Sequence, residues 1–287
     1  EKNENVKHFL SYAEKVTNEL GDLIDIVCTI NEANLTACFA HSFQSYPENG
    51  MKAIMPFIKE AAEECGSTLE NFGPFLFGHP FKIRDCMMES HVKSVPIIKS
   101  ILNNNQPVGV TLSIMDYQAA EGGEKVRDQA YAESVDCCLD QVTNDDFVGV
   151  QMYTRHTYGP DGIIKPKADD PNMLVMGYEY YPESLENVVR YVSSKVKTPI
   201  MITENGIGTD DDNQRIEYLT TALQGLQKCL DDGIDVRGYF CWSLLDNFEW
   251  LFGYKPRFGL VEVNRETLDR TAKESFKFFK DVIDQSS

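Results

Sequence analysis

Apolar residues recur along this chain with two alternating periods. Near the N-terminus Val6, Phe9, Leu10, Ala13, Val16 and Leu20 are spaced by three and four, which puts them on one face of a helix. Gly21 follows where a C-terminal cap would sit. The β-branched run over 24–30 then reads as a buried strand. The alternation continues with helical spacing over 51–65, 90–102, 127–142, 183–196, 213–230 and 270–283. Between several of these lie short apolar runs at 108–114, 147–153, 199–203 and 236–242.

Strands alternating with helices imply βαβ units, parallel pairing and helices on the outside of the sheet. Strands buried on both faces should be apolar almost throughout, and these runs are. No Pro/Gly/Ser linker or shift in composition divides the chain, so a single domain over residues 1–287 is expected. Five parallel strands fit either an open doubly wound sheet or part of a closed barrel. The polar residues favour the barrel. Asn31-Glu32, Tyr153-Thr154-Arg155, Glu204-Asn205-Gly206 and Ser243 through Trp250 each follow the C-terminal end of an apolar run. Barrel enzymes collect polar groups from several strands at that face, whereas an open sheet concentrates them at one switch point beside a glycine-rich loop.

Composition narrows the partners. Hydrophobic residues make up 42% of the chain, enough for a sizeable core, and the formal net charge is −18. Such a field repels phosphates, so no nucleic acid and no anionic membrane is expected as partner, while a neutral small molecule is not disfavoured. The eight cysteines form no CxxC pair, which argues against a zinc ribbon and for reduced thiols in a cytoplasmic protein. The opening residues read neither as a signal peptide nor as an initiator methionine.

Glu32 and Glu204 each stand at the end of an apolar run. On opposite sides of a barrel mouth they would face one another, which is what cleavage of a glycosidic bond requires: one carboxylate at the anomeric carbon and one acid at the leaving oxygen, about 5–5.5 Å apart in a retaining enzyme. Their surroundings must then push the two pKa values apart. The plainer alternative is a pair of ordinary strand-end acids facing solvent.

The flanking residues resemble glycoside hydrolase family 1. Thr29-Ile30-Asn31-Glu32 is similar to its acid/base signature, and Ile202-Thr203-Glu204-Asn205-Gly206 to its nucleophile signature. Trp242-Ser243-Leu244-Leu245-Asp246-Asn247-Phe248-Glu249-Trp250 matches its sugar-binding segment throughout and holds both tryptophans of the chain. Gly253-Tyr254 and Arg257-Phe258-Gly259-Leu260 continue the match. The resemblance implies a TIM (β/α)8-type barrel and retaining β-glycoside hydrolysis without cofactor or metal. It implies Glu204 as nucleophile, Glu32 as acid/base and Tyr153 as donor to the nucleophile. Asn31 corresponds to a contact to the sugar 2-OH, Trp242 to a stacking ring, and Glu249 and Trp250 to contacts with the outer hydroxyls. Gln151, Tyr178 and Phe258 complete the expected substrate-binding set.

Three departures from the family pattern matter. Ala33 replaces the proline after the acid/base, Gln151-Met152-Tyr153 replaces Asn-Tyr-Tyr, and Tyr178 stands where many members carry tryptophan. More consequentially, the acid/base signature closes the fourth strand in the family but the first strand found here. The expected fold is therefore an incomplete barrel of about five βα units, lacking the first three. Its open side calls for an N-terminal barrel fragment or self-association as partner, and a non-catalytic scaffold is the competing reading. An open-sheet nucleotide-binding protein is excluded for want of a phosphate loop. The acidic run Thr209 to Asn213 reads as a helix start and Gly122-Gly123 as a flexible loop. His8, His41, His79, His91 and His156 read as surface or loop residues.

Overall fold

The computed structural model describes residues 2–42, 48–73, 78–102, 105–167, 170–250 and 252–286. Its main sheet has five strands: β1 (Val27–Cys28), β2 (Val108–Ser113), β3 (Phe147–Met152), β4 (Ile200–Asn205) and β5 (Val236–Cys241). Their order in space is their order in the chain, and every neighbouring pair is parallel. Each crossover therefore steps one strand onward in the same direction. A doubly wound sheet would reverse its strand order at a switch point; a sheet wound one way is an arc of a barrel. The expected incomplete five-unit barrel is what the chain forms.

The helices are α1 (Lys2–Leu20), α2 (Leu35–Ser42), α3 (Glu48–Glu64), α4 (Pro80–Ile101), α5 (Glu124–Tyr131), α6 (Ser184–Lys195), α7 (Asp212–Asp231) and α8 (Glu274–Ser286). Helix α5 runs on through a π turn, Ala132–Asp136, into a last turn, Cys137–Leu139. The main core forms where Val110, Leu112, Val148, Val150 and Ile202 meet Leu185, Val188, Val192, Tyr218 and Ala222 of α6 and α7. Burying one such Val or Leu side chain contributes about 1.5–3 kcal/mol. A smaller cluster of Ala13, Val95, Ile98 and Val108 joins α1 and α4 to the first edge of the sheet.

Burial falls from the middle of the arc to its ends. All residues of β2 and β3 are buried, whereas no residue of β5 is and Cys28 of β1 is exposed. The continuous apolar run expected of a doubly covered strand thus holds at the centre and fails at both edges. Ile26 is 40% exposed and Phe240 52%. An edge strand has a neighbour on one side only, and the run over 24–30 accordingly shortens to two paired residues. Its backbone still reaches β2 beyond them: Thr29 N donates to the Gly109 carbonyl at 2.9 Å, and Thr111 N to the Ile30 carbonyl at 3.3 Å.

Other differences from expectation have local causes. Gly21 is not a left-handed cap; it opens a 3-10 turn, Gly21–Leu23, and is buried. The final helix starts at Glu274 because Arg270–Ala272 pairs antiparallel with Val261–Val263. The acidic run does begin a helix, with the Asp211 carboxylate accepting from Asn213 N at 3.0 Å. Gly123 is less a flexible hinge than a close approach, since a Cβ there would lie 2.0 Å from the Tyr158 carbonyl oxygen. His91 is fully buried on α4 rather than at the surface. Its Nδ1 meets Thr29 Oγ1 at 2.8 Å and its Nε2 lies 2.9 Å from Asp145 Oδ2, so the helix holds the chain just past β1.

Candidate active site

Strand β4 carries Glu204 at its carboxyl end, and the next residues cross beneath the end of β5. Trp242 N donates to the Asn205 carbonyl at 2.9 Å. A Cβ on Gly206 would sit 1.9 Å from the Trp242 carbonyl oxygen. Only glycine permits this approach, which is why the nucleophile signature ends in one. The β3–β4 register shifts between Val150 and Gln151, so Gln151 and Glu204 stand opposite one another.

Glu204 is half-buried and held at both oxygens. Gln151 Nε2 donates to Oε1 at 2.8 Å and the Tyr153 hydroxyl to Oε2 at 2.5 Å. Burial raises the Glu204 pKa, the Tyr153 bond opposes that rise, and the Glu249 charge adds to it. The Tyr153 hydroxyl is pushed well above its usual range by burial and by Glu204, so it remains a donor. Gln151 Nε2 also donates to Asn31 Oδ1 at 2.8 Å, while its buried Oε1 has no partner among the described residues.

Glu32 is not at a strand end, as the sequence suggested, but in the turn that follows β1. Its φ of 47° is left-handed, a conformation that costs a non-glycine residue about 1–2 kcal/mol. Two bonds hold it there: Glu32 N donates to Thr111 Oγ1 at 2.9 Å and Ala33 N to the Thr111 carbonyl at 3.1 Å. A proline at 33 could not make the second bond, so alanine tightens this turn. Burial, then the Glu204 charge, push Glu32 up to about 7; a bond from the Ser113 side chain lowers it and the Glu249 charge raises it.

The two glutamates share a cavity of about 210 Å3 with Asn31, Tyr153, Tyr178, Trp242, Glu249, Trp250 and Phe258. Nine of the ten expected side chains line it, and the tenth, Gln151, lies under Glu204. Trp242 Nε1 donates to Glu249 Oε1 at 3.1 Å, and Asn247 Nδ2 donates to the same oxygen at 2.8 Å. The Tyr153 ring sits between Tyr178, with centroids 6.1 Å apart, and the buried Phe258, met edge-on at 6.0 Å. Trp250 stands at the rim, 85% exposed.

Sequence reasoning missed Ser113, Leu35, Phe39, Met115, Met176 and Phe252, which line the same cavity, and Thr111 beneath Glu32. Thr111 and Ser113 had a signal: they are the polar alternate positions of an otherwise apolar strand. The others come from loops and from α2, whose apolar residues are indistinguishable from core in the sequence.

A larger cavity of about 510 Å3 lies on the outer face between α5 and α6. Its Asp116 and Asp136 are engaged by Gln118, Asn187, Tyr191 and Lys195, so volume alone does not make it the site. Among the described residues no cluster of His, Cys, Asp or Glu could hold a metal ion, and no helix is long and apolar enough to cross a membrane.

A family model described as Glycosyl hydrolase family 1 matches residues 143–287. A curated relative, beta-glucosidase 31 of Arabidopsis thaliana, is 47% identical over an alignment covering 98% of this chain and 64% of that protein. A bifunctional beta-D-glucosidase/beta-D-fucosidase of Bifidobacterium breve is 42% identical over 38% of this chain and 26% of its own length. The solved structure of beta-glycosidase BGL167 superposes with a TM-score of 0.88 at 37% identity, covering 98% of this chain and 67% of that one. The chain thus spans between about a quarter and two thirds of the length of these relatives.

Proposed function

Because this chain belongs to glycosyl hydrolase family 1, we propose that its cavity hydrolyses β-glycosides with retention of configuration, using Glu204 as nucleophile and Glu32 as acid/base. The observation that carries this reading is the unequal treatment of two glutamates in one pocket. Glu204 receives two strong donors, which favour the carboxylate. Glu32 is pushed up to about 7 and so holds a proton where Glu204 can be ionised.

In the first step Glu204 attacks the anomeric carbon while Glu32 protonates the leaving oxygen. In the second, Glu32 removes a proton from the water that releases the sugar. Tyr153 and Gln151 orient the nucleophile. Asn31 meets the 2-OH, Trp242 stacks on the sugar's apolar face, and Glu249 and Trp250 take the outer hydroxyls. Tyr178 and Phe258 shape the cavity around Tyr153. β-Glucosides, β-fucosides and β-galactosides form the substrate class, the first two in keeping with the names of the relatives above.

A second reading draws on the open sheet: the chain acts with an N-terminal barrel fragment or a second copy, or serves as a non-catalytic scaffold. It is supported by the outer edges of β1 and β5, which pair with no further strand among the described residues, and by the exposure of Phe240 and Leu244. Hydrolysis of a chromogenic β-glucoside by the purified chain, alone and with a fragment supplying three further βα units, separates these. Turnover that falls at least ~10²-fold in Glu204→Gln supports the two-glutamate mechanism. Turnover only with the fragment supports a split barrel, and background rates throughout, insensitive to Glu204→Gln, refute the mechanism for this chain.

A further inference from the structure

Two residues after Glu32, the side chain of Asn34 is fully buried beneath the cavity. Its Oδ1 accepts from Ser113 N at 2.8 Å, and its Nδ2 donates to the Ser113 carbonyl at 2.8 Å and the Ser134 carbonyl at 2.9 Å. Both amide hydrogens and the amide oxygen are thus engaged by main-chain groups. The double exchange with Ser113 imitates one more step of sheet pairing, made by a side chain after β1 itself has ended. The Ser134 carbonyl belongs to the π turn Ala132–Asp136, a distortion that recurs at functional sites.

This grip lies directly beside the acid/base. Glu32 has a left-handed φ that persists only if its surroundings over-determine it. Thr111 binds the turn from one side, at Glu32 N and Ala33 N. Asn34 binds it from the other, at Ser113, whose side chain shares the cavity with the Glu32 carboxyl and counters the rise in its pKa. Thr111 and Ser113 are alternate residues of β2, so the strand offers two successive anchors to one short turn.

We propose that Asn34 is a positioning residue for the acid/base: it locks the turn of residues 31–34 to the end of β2 and holds Ser113 against the Glu32 carboxyl. The role rests on the reading of Glu32 as acid/base. The charged and titratable groups facing Glu32 are Glu204 on β4, Tyr153 after β3, Glu249 after β5 and Cys38 on α2. Glu204 and Glu249 push its pKa up, and Ser113 is the contact opposing them.

The test compares kcat/KM for a 2,4-dinitrophenyl β-glucoside, whose leaving group needs no proton, with that for an alkyl β-glucoside, whose leaving group does. Asn34→Ala should lose roughly tenfold or more on the alkyl substrate and less than about threefold on the dinitrophenyl one, a part of the ~10²–10⁴ that acid catalysis supplies. Ser113→Ala, which keeps the backbone anchors and so serves if Asn34→Ala does not fold, should show the same split. Both should move the basic limb of the pH profile upward, because the bond favouring the carboxylate is lost. Equal losses on the two substrates, or a wild-type ratio, would overturn the proposal. Glu32→Gln is the reference: if it lacks the split, the acid/base reading itself fails. Where turnover is at background, the infrared band of the protonated Glu32 carboxyl, identified by its loss in Glu32→Gln, is titrated instead. An upward shift of its midpoint in both variants supports the role, and an unchanged midpoint overturns it.

Discussion

The raised pKa of Glu32 makes a prediction about stability that needs no turnover. In the unfolded chain this carboxyl titrates at about 4.5, and in the fold at about 7. A group whose folded pKa is raised contributes stability that is fully present below the unfolded value and is lost as pH rises through the folded one. At pH 4 Glu32 is mostly neutral in both states, so replacing it with the isosteric, neutral glutamine should change little. At pH 8 the wild type must hold an ionised carboxylate in a site that disfavours it. The interval from 4.5 to about 7, at ~1.36 kcal/mol per pH unit, sets an upper value of about 3 kcal/mol. Glu32→Gln should therefore be more stable than wild type at pH 8 by up to that amount. At ~2–4 °C per kcal/mol for a chain of this size, the gain in Tm is at most roughly 6–12 °C. Scanning calorimetry of both proteins at pH 4, 6 and 8 isolates the effect, because every other titrating group is shared. A Tm difference independent of pH, or one that favours the wild type at pH 8, would show that Glu32 is not an acid raised by burial and Glu204.

Tyr153→Phe removes the hydroxyl that stabilises the Glu204 carboxylate, so the acidic limb of the pH profile should move upward and kcat fall about 10–100-fold, the worth of a hydrogen bond to a charged group; an unmoved limb would refute this. Gly206→Ala must displace the Trp242 carbonyl that a Cβ would meet at 1.9 Å, which should cost about 1–3 kcal/mol in urea unfolding; wild-type stability would mean that the ends of β4 and β5 lie farther apart. Among the thiols, Cys137 is drawn down to about 7 by a bond with the Cys138 thiol, whose sulfur lies 4.0 Å away, while burial lifts Cys38 to about 12. Iodoacetamide labelling followed by mass spectrometry should therefore rise at Cys137 through about pH 7 and leave Cys38 unmodified up to pH 9; equal labelling of the two would contradict this.

Much of the candidate site was legible because its side chains sit in compact segments with distinctive residue types. Glu204-Asn205-Gly206 and Trp242 through Trp250 each name a strand end and its chemistry together, and nearly continuous apolar runs located β2, β3 and β4. Thr111 and Ser113 could have been found as polar alternates on β2. Asn34 could not, because a buried asparagine is told from a surface one only by what surrounds it. The sequence by itself determined the alternation of strands and helices, the family and the side chains gathered at the cavity, since each depends on local period or residue type. Tertiary structure alone decided that spatial order follows chain order, that β1 keeps only two paired residues, and that Glu32 stands in a left-handed turn held by Thr111. It also decided which glutamate is pushed up to about 7. These depend on partners 50 to 170 positions away in the chain, and on how the fold removes two carboxyls unequally from water, which no local pattern encodes.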